Sequence, residues 1–468
     1  MINEEINEEI NQLFSLFSEI NTLALPLMKR PPDVFEGRTS TIIVTDECNL
    51  RCSYCYCEKQ PHSMAWETAK EFIDYQFKIT EDFHKIPKED QLAITYKKVW
   101  DFVGGEPLLE ADLVFKCIAY IEERIETLHE NHPWKRQDWP CTCGKQHPSF
   151  GYRYMIGTNG LLVNDPTIQR NLLKYQTKIH IGVTLDGDQK MHDICRVDTE
   201  GKGSFERVIL AWSWLQKAFP AATKTTKSTI AHENLPYIYD LVKFFYHLEP
   251  DFFLMQNCVF ENVWHWGDQF ILFEQLCKVA DFLLEGEKYK TFMVRWFDLA
   301  VFGKSTSTEN WCGAALHMDA CDYMGDIYPC LRFKQIHTRD PFPIGTTKTG
   351  IDPDRRKELN TGSPIQAPRQ LELTGLDCKN CPISMLCSEC QAGAYNMLGR
   401  LDVKSPFLCP MTKAVAFANV YFFGKLSGFI TTPDEEFRDY LSGLLGEYTK
   451  DNYFSHDSEG RLVPWTKC

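Results

Sequence analysis

From Thr41 onward, short apolar runs rich in β-branched residues alternate with stretches whose apolar positions recur at helical spacing. The pattern predicts strands over 41–45, 98–103, 152–157, 179–185, 225–230 and 252–258. Between and after them it predicts helices over 66–79, 109–127, 166–174, 204–217, 236–247 and 268–285. Six strand–helix units in series mean a parallel sheet with crossover helices, and curling that sheet gives an α/β fold, a partial (β/α)6 TIM-like barrel. In such a barrel the chemistry sits on the loops at the C-terminal ends of the strands. Ahead of the alternation, Ile6, Ile10, Leu13, Leu16, Phe17 and Ile20 share one helical face, and Pro31 and Pro32 break the segment. An amphipathic helix packed on the body of the protein is expected there.

The loop after the first strand, Thr45 to Lys59, reads TDECNLRCSYCYCEK. Cys48, Cys52 and Cys55 are separated by three residues and then two. Three soft thiolates on one short loop can hold three irons of a cubane cluster and leave the fourth open. A zinc site would want four closed ligands, usually as two separated pairs. Cys57 is read as a bystander, because a single residue is a very tight spacer. After the second strand comes GGEP, Gly104, Gly105, Glu106 and Pro107: two glycines that permit close backbone approach and a carboxylate at a helix start. A good turn and helix opening would use the same residues. Thr158, Asn159 and Gly160 follow the third strand as TNG, either a plain turn or a turn with a role in the site. Thr184 to Arg196, TLDGDQKMHDICR, follows the fourth.

A second cysteine-rich region begins at Cys312. Cys312 and Cys330 flank a turn glycine, Gly325, and the segment between them reads as a small hairpin. CKNCPISMLCSEC then supplies Cys378, Cys381, Cys387 and Cys390, and Cys409 follows. Cysteines clustered this way in a cytoplasmic chain mean metal, an iron–sulfur cluster or a zinc ribbon. An insertion before the third strand carries Cys141, Cys143 and His147 beside Trp134 and Trp139, and is read as a surface loop without metal.

Composition narrows the partners. The chain of 468 residues is too long for one core, and 44% apolar with 24% charged residues describes a globular protein. The formal charge of −14 argues against nucleic acid and anionic membranes. Nineteen cysteines would suit a disulfide scaffold only in a small secreted chain, and MINEEINEEI is no signal peptide, so a cytoplasmic location without a membrane span is expected.

Taken together, these motifs resemble the radical S-adenosylmethionine (SAM) enzymes. The resemblance implies reductive cleavage of SAM to methionine and a 5′-deoxyadenosyl radical, with Cys48, Cys52 and Cys55 holding the cluster that binds SAM. It places Tyr54 near the cofactor and Gly104, Gly105, Glu106 and Pro107 at the SAM amino group. Thr184 and Arg196 become SAM contacts, Arg196 because a guanidinium suits a carboxylate. Asp186 is the candidate catalytic residue, although Asp186 and His192 could equally be structural.

The second cysteine region resembles the SPASM domain, which binds two auxiliary clusters and brings the total to three [4Fe–4S]. By that likeness Cys378, Cys381, Cys387 and Cys409 hold one. Cys312, Cys330 and Cys390 hold the other, with Cys321 as candidate fourth ligand. The spacing departs from the family's in one place: two residues separate Cys387 from Cys390, where three are common. The expected division is an N-terminal helix and linker (1–37), a radical SAM barrel (38–300), a SPASM domain (301–425) and a helical extension (426–468).

NWCG, GDIYPC and ANVYFF are most similar to maturases of ribosomally made, cysteine-rich precursor peptides. The resemblance implies a peptide maturase that forms thioethers, reduced by flavodoxin or ferredoxin. Carbon–carbon crosslinking or cyclophane formation and formylglycine formation, as in sulfatase maturation, are alternatives. An electron-transfer protein is the alternative from another class; it would not need GGEP or Arg196.

Overall fold

The computed structural model describes residues 4–24, 38–84, 98–131, 139–140, 146–147, 152–220, 223–249, 253–259, 263–297, 313–335, 340–359, 376–384, 386–387, 390–404, 406–430, 432, 434–450, 454–456 and 462–464. Pro31, Pro32, Trp134, Cys141, Cys143 and Cys312 lie outside them. His147 faces Trp139 in a two-residue antiparallel pairing.

An N-terminal helix, α1 (Glu4–Ala24), precedes the alternating region. The alternation then runs β1 (Arg38–Thr45), α2 (Trp66–His84), β2 (Lys98–Gly104), α3 (Ala111–Asn131), β3 (Tyr152–Thr158), α4 (Pro166–Lys174) and β4 (Ile179–Thr184). It continues through α5 (Gln189–Cys195), α6 (Phe205–Ala218), β5 (Lys224–Ile230), α7 (Ile238–Leu248), β6 (Phe253–Cys258) and α8 (Asp268–Leu284). Strands β1 to β6 lie side by side in chain order, every neighbouring pair parallel, and β7 (Met293–Val294) closes the row. This is the expected partial barrel. Alternate residues of β4 show its two faces: Ile179, Ile181 and Val183 are fully buried under the helices, while His180, Gly182 and Thr184 stay partly accessible on the barrel's inner side. The short helix α5 was not expected; Asp188 caps it by accepting the Met191 N–H at 3.0 Å.

The predicted hairpin is also present, β8 (Met318–Cys321) returning as β9 (Asp326–Tyr328) around Gly325, whose φ is +84°. Its placement was not predicted: β8 pairs in parallel with β1, Thr39 opposite Met318 through Ile42 opposite Cys321. After α9 (Leu331–Lys334), β10 (Gly345–Thr346) and β11 (Gly350–Ile351) extend the sheet to eleven strands. A polar network secures the joint. Asp319 of β8 accepts the Ser40 hydroxyl at 2.6 Å and the Gln76 amide at 2.9 Å, and the buried Lys98 ammonium donates to Ser40 and to Gln76. Burial pulls Lys98 down to about 8, against the opposing attraction of Asp319.

The remaining α-helices among the described residues are α10 (Pro353–Leu359), α11 (Gln391–Leu398), α12 (Cys409–Leu426) and α13 (Asp434–Lys450). α12 is buried on all sides from Pro410 to Gly424, between α8, α13 and α1. α1 turns Ile10, Phe14, Phe17 and Ile20 inward, with Phe14 edge-on to Phe417 at 5.2 Å; Leu16, read as part of its apolar face, is exposed. Among the described residues no helix is long and apolar enough to cross a membrane.

Asp319→Ala leaves the Ser40 and Gln76 donors without their acceptor and Lys98 without its counter-charge. The loss expected is on the order of 3 kcal/mol in equilibrium urea unfolding. An unchanged midpoint would show that the network does not hold β8 to the barrel.

Candidate active site

The cysteine loop leaves the C-terminal end of β1 and lies against the end of β2. Gly105 N–H donates to Thr45 O at 2.9 Å, and Glu106 N–H to Glu47 O at 2.8 Å. A side chain has no room here: a Cβ on Gly104 would lie 2.4 Å from Thr45 O, and one on Gly105 2.2 Å from Glu47 O. The glycine pair is therefore explained by backbone contact with the cysteine loop. Glu106 is almost fully buried, and its carboxylate accepts from Leu108 N–H at 3.0 Å, the Thr158 hydroxyl at 2.7 Å and Asn159 N–H at 2.7 Å. Burial pushes its pKa up and these donors pull it back. Glu106 thus ties the end of β2 to the end of β3, with Pro107 opening the following turn of helix.

The three thiols stand within electrostatic reach of one another. Several groups point at their sulfurs: Leu50 N–H at 3.4 Å and the Asn159 amide at 3.8 Å from Cys48, and the Lys59 ammonium at 2.9 Å from Cys55. Burial raises Cys48 and Cys52, Cys52 to about 11. Cys55 is held well below the usual thiol range, first by a hydrogen bond from Cys57 and then, against burial, by Lys59. Cys57 accordingly sits beside the three as a donor to one of them. Asn159 was read from the sequence only as part of a turn, and Lys59 was not singled out, although it stands only four residues past Cys55.

Tyr54, Asp186 and Arg196 form a chain. Arg196 donates to the Tyr54 oxygen at 2.8 Å, the Tyr54 hydroxyl donates to Asp186, and Asp186 also accepts Thr229 N–H at 2.8 Å. Both carboxylate oxygens of Asp186 are thus engaged by protein donors. Burial raises Asp186, and Arg196 opposes that rise. Arg196 is buried with its Nε lacking any hydrogen-bond partner, a donor left over inside the site. His192 belongs to the scaffold: its Nδ1 accepts Asp186 N–H at 3.2 Å, its Nε2 meets Ser204 Oγ at 2.9 Å, and that hydroxyl donates to Arg196 O at 2.8 Å. Burial and Arg196 depress His192 to about 2, so it stays neutral.

Two charged residues in mid-strand face the barrel interior. Asp101 of β2 has its carboxyl raised to about 7 by burial, against the Thr41 hydroxyl and Lys227. Lys227 of β5 is paired in register with Thr184. Its side chain is open to solvent in the barrel mouth, with Asp186, Cys57, Arg332 and Arg196 as charged neighbours. A charge in the middle of the apolar strand KVWDFVG is the sequence signal that would have found Asp101, whereas Lys227 lies in the polar strand KTTKSTI and does not stand out there.

The second cysteine region reaches the same rim. Arg332 lies over the ring of Tyr56 at 4.1 Å, Lys334 pairs with buried Asp46, and Tyr323 stacks on His62 at 4.4 Å. Cys330 begins α9 and Cys390 begins α11; Phe333, Phe342 and Tyr395 pack between these helices. Farther off, Cys378, Cys381, Cys387 and Cys409 feel one another's charge, beside Lys404 and Lys413. Among the described residues no three Cys, His, Asp or Glu side chains converge on a single ion position. Cys321 is fully buried in β8, with Asp322, Asp319, Asp326 and Glu71 as charged neighbours.

Residues 42–245 match the family described as the Radical SAM superfamily. An uncharacterised protein of Methanocaldococcus jannaschii is 28% identical over 43% of this chain and 56% of its own length. A serine-type anaerobic sulfatase-maturating enzyme of Bacteroides thetaiotaomicron is 23% identical over 77% of this chain and 84% of its own length. The chain thus spans about half the length of the first relative and most of the second. Among solved structures, native anSMEcpe with bound AdoMet and Cp18Cys peptide superposes with a TM-score of 0.54 at 16% identity, over 84% of this chain and 99% of that one. At that identity the likeness is one of fold.

Two outcomes follow from this geometry. Glu106→Gln replaces an acceptor with a donor opposite buried N–H groups, and should cost roughly 1–3 kcal/mol in stability by urea unfolding. Full stability would sink the tie assigned to Glu106. For Asp101, a carboxyl raised from 3.8 to about 7 keeps its proton in the fold when the unfolded chain has lost it. Its contribution to stability is complete below the lower value and lost as pH rises through the upper one. Across that window Asp101→Asn should gain stability relative to the parent as pH rises; parallel urea midpoints would contradict it.

Proposed function

We propose that this chain, which carries a radical SAM domain over residues 42–245, matures a ribosomally made peptide by joining a cysteine sulfur to a carbon of another residue. A four-iron cluster on Cys48, Cys52 and Cys55, with SAM at its open iron, would supply the 5′-deoxyadenosyl radical that removes one hydrogen atom from the substrate. The chain's own groups bind and orient. Arg196, fixed by Tyr54 and backed by the His192–Ser204 relay, offers its unused Nε to the SAM carboxylate beside Thr184. Gly104, Gly105, Glu106 and Pro107 shape the wall assigned to the amino group. Asp186 acts as a positioning residue, since both its oxygens hold protein donors.

The observation that carries the reading is the contact of Arg332 with Tyr56. Tyr56 follows Cys55 and Arg332 stands two residues past Cys330, so the two cysteine regions meet at the barrel mouth. A substrate cysteine brought there would lie near Arg332 and Lys227, whose positive charge favours thiolate over thiol. The overall change breaks one C–H and one S–H bond and forms one C–S bond; the second electron and the proton must leave. Auxiliary clusters on Cys378, Cys381, Cys387 and Cys409, and on Cys312, Cys330 and Cys390, would accept that electron. Cys321, buried in β8, is the candidate fourth ligand of the second cluster. Flavodoxin or ferredoxin would supply the first electron. That the solved neighbour is described with a bound peptide supports a peptide substrate.

The name of the Bacteroides relative favours a second reading, formylglycine formation. Reduced, reconstituted protein with SAM should form 5′-deoxyadenosine. With a short Cys-rich peptide as substrate, it should give a product lighter by two hydrogens and poorer by one thiol. A product captured by an aldehyde-reactive hydrazide would instead establish the second reading. Changing Cys48, Cys52 and Cys55 together to Ala should abolish 5′-deoxyadenosine and retain the remaining iron; continued cleavage would refute the assignment of the cluster.

A further inference from the structure

The four-cysteine group has a neighbour from outside the cysteine-rich region. Tyr448, near the end of α13, places its hydroxyl 3.3 Å from the Cys381 sulfur, 67 residues away in sequence. A phenol beside a thiolate that has no proton can only donate, so when Cys381 carries iron the bond runs from Tyr448 Oη to the sulfur. Lys413 holds the tyrosine in place: its ammonium donates to Tyr448 O at 2.7 Å and lies 3.7 Å from the centre of the ring. Lys413 is four residues past Cys409 on α12, on the same helical face, and acts on that thiol as a positive charge. Lys413, Lys404 and Tyr448 are each only 5% exposed. Buried cations are costly unless something anionic offsets them, and a cluster bound by four thiolates is anionic, the more so when reduced.

We propose that Tyr448 and Lys413 raise the reduction potential of a cluster held by Cys378, Cys381, Cys387 and Cys409, making it an electron acceptor. This rests on the cluster assignment above. Reduction adds one electron and one negative charge; a hydrogen bond to a ligand sulfur and a nearby ammonium both stabilise the product of that step, and cluster potentials respond to both. The electron is the one released when the substrate carbon radical bonds sulfur and the thiol proton passes to solvent. Tyr448 and Lys413 are positioning residues here, since they act through the cysteines.

The test uses the full chain carrying Ala at positions 48, 52 and 55, reconstituted with iron and sulfide, so that auxiliary signals are observed alone. Iron content and a redox titration followed by electron paramagnetic resonance compare it with Tyr448→Phe, Lys413→Met and Lys413→Arg. The expected result is unchanged iron, a more negative midpoint for one auxiliary signal in Tyr448→Phe and in Lys413→Met, and recovery toward the parent midpoint in Lys413→Arg. Unchanged midpoints at full iron overturn the proposal. Loss of that iron from both Tyr448→Phe and Lys413→Met overturns it as well, making the pair part of the binding scaffold. Absence of any cluster signal in the Ala background defeats the cluster assignment itself, a result distinct from either.

Discussion

The site is held by backbone meeting backbone. Two peptide hydrogen bonds join the glycine end of β2 to the residues that carry the cysteine loop away from β1, and the separation leaves no space for a Cβ on either glycine. Glu106 continues the contact to the end of β3, and the Asn159 amide next to it reaches back to Cys48. Three strand ends are thereby locked to one another before any side chain addresses a ligand. Main-chain contacts have fewer ways to relax than long side chains, so a loop set by them can keep three thiols in one arrangement.

Much of this was legible in the sequence, for reasons specific to each element. The six strands and their helices were found to within a few residues because each strand is buried on one face by helices that repeat at their own period. α5 was passed over because its seven residues are too few for a period to show. The partner of β8 was illegible for a different reason: Ser40 and Asp319 are 279 residues apart, and no local pattern encodes which strand edge a hairpin will find. In the site, cysteine spacing and the glycine pair announced themselves. Asn159 did not, since an asparagine before a glycine reads as a turn whatever else it touches. Tyr448 could not be connected to Cys381 without the packing of α13.

The Asp186-to-Arg196 segment shows how one motif divides its labour. His192, kept neutral by burial, passes hydrogen bonds from the backbone of Asp186 through Ser204 to the backbone of Arg196. Asp186 grips Tyr54 and β5. These residues spend their hydrogen-bonding capacity on one another and on Tyr54 and Thr229, and Arg196 keeps a buried Nε–H without a partner among the described residues. A guanidinium fixed on one side and unsatisfied on the other is preorganised for an anion, because the rotamer entropy has already been given up in the fold.

The strands added beyond β1 shrink from its eight residues to four, three, two and two. An open parallel sheet ends in a row of unpaired peptide groups, which is a template for any extended chain that drifts by. Here that row is tapered until almost nothing is left to copy. The taper is encoded late, however: while the chain is being made, the long flank of β1 waits for residues 318–321, nearly the whole barrel later. Translation that stops short of them would release a barrel with a naked eight-residue border, prone to self-association for want of four residues of covering strand.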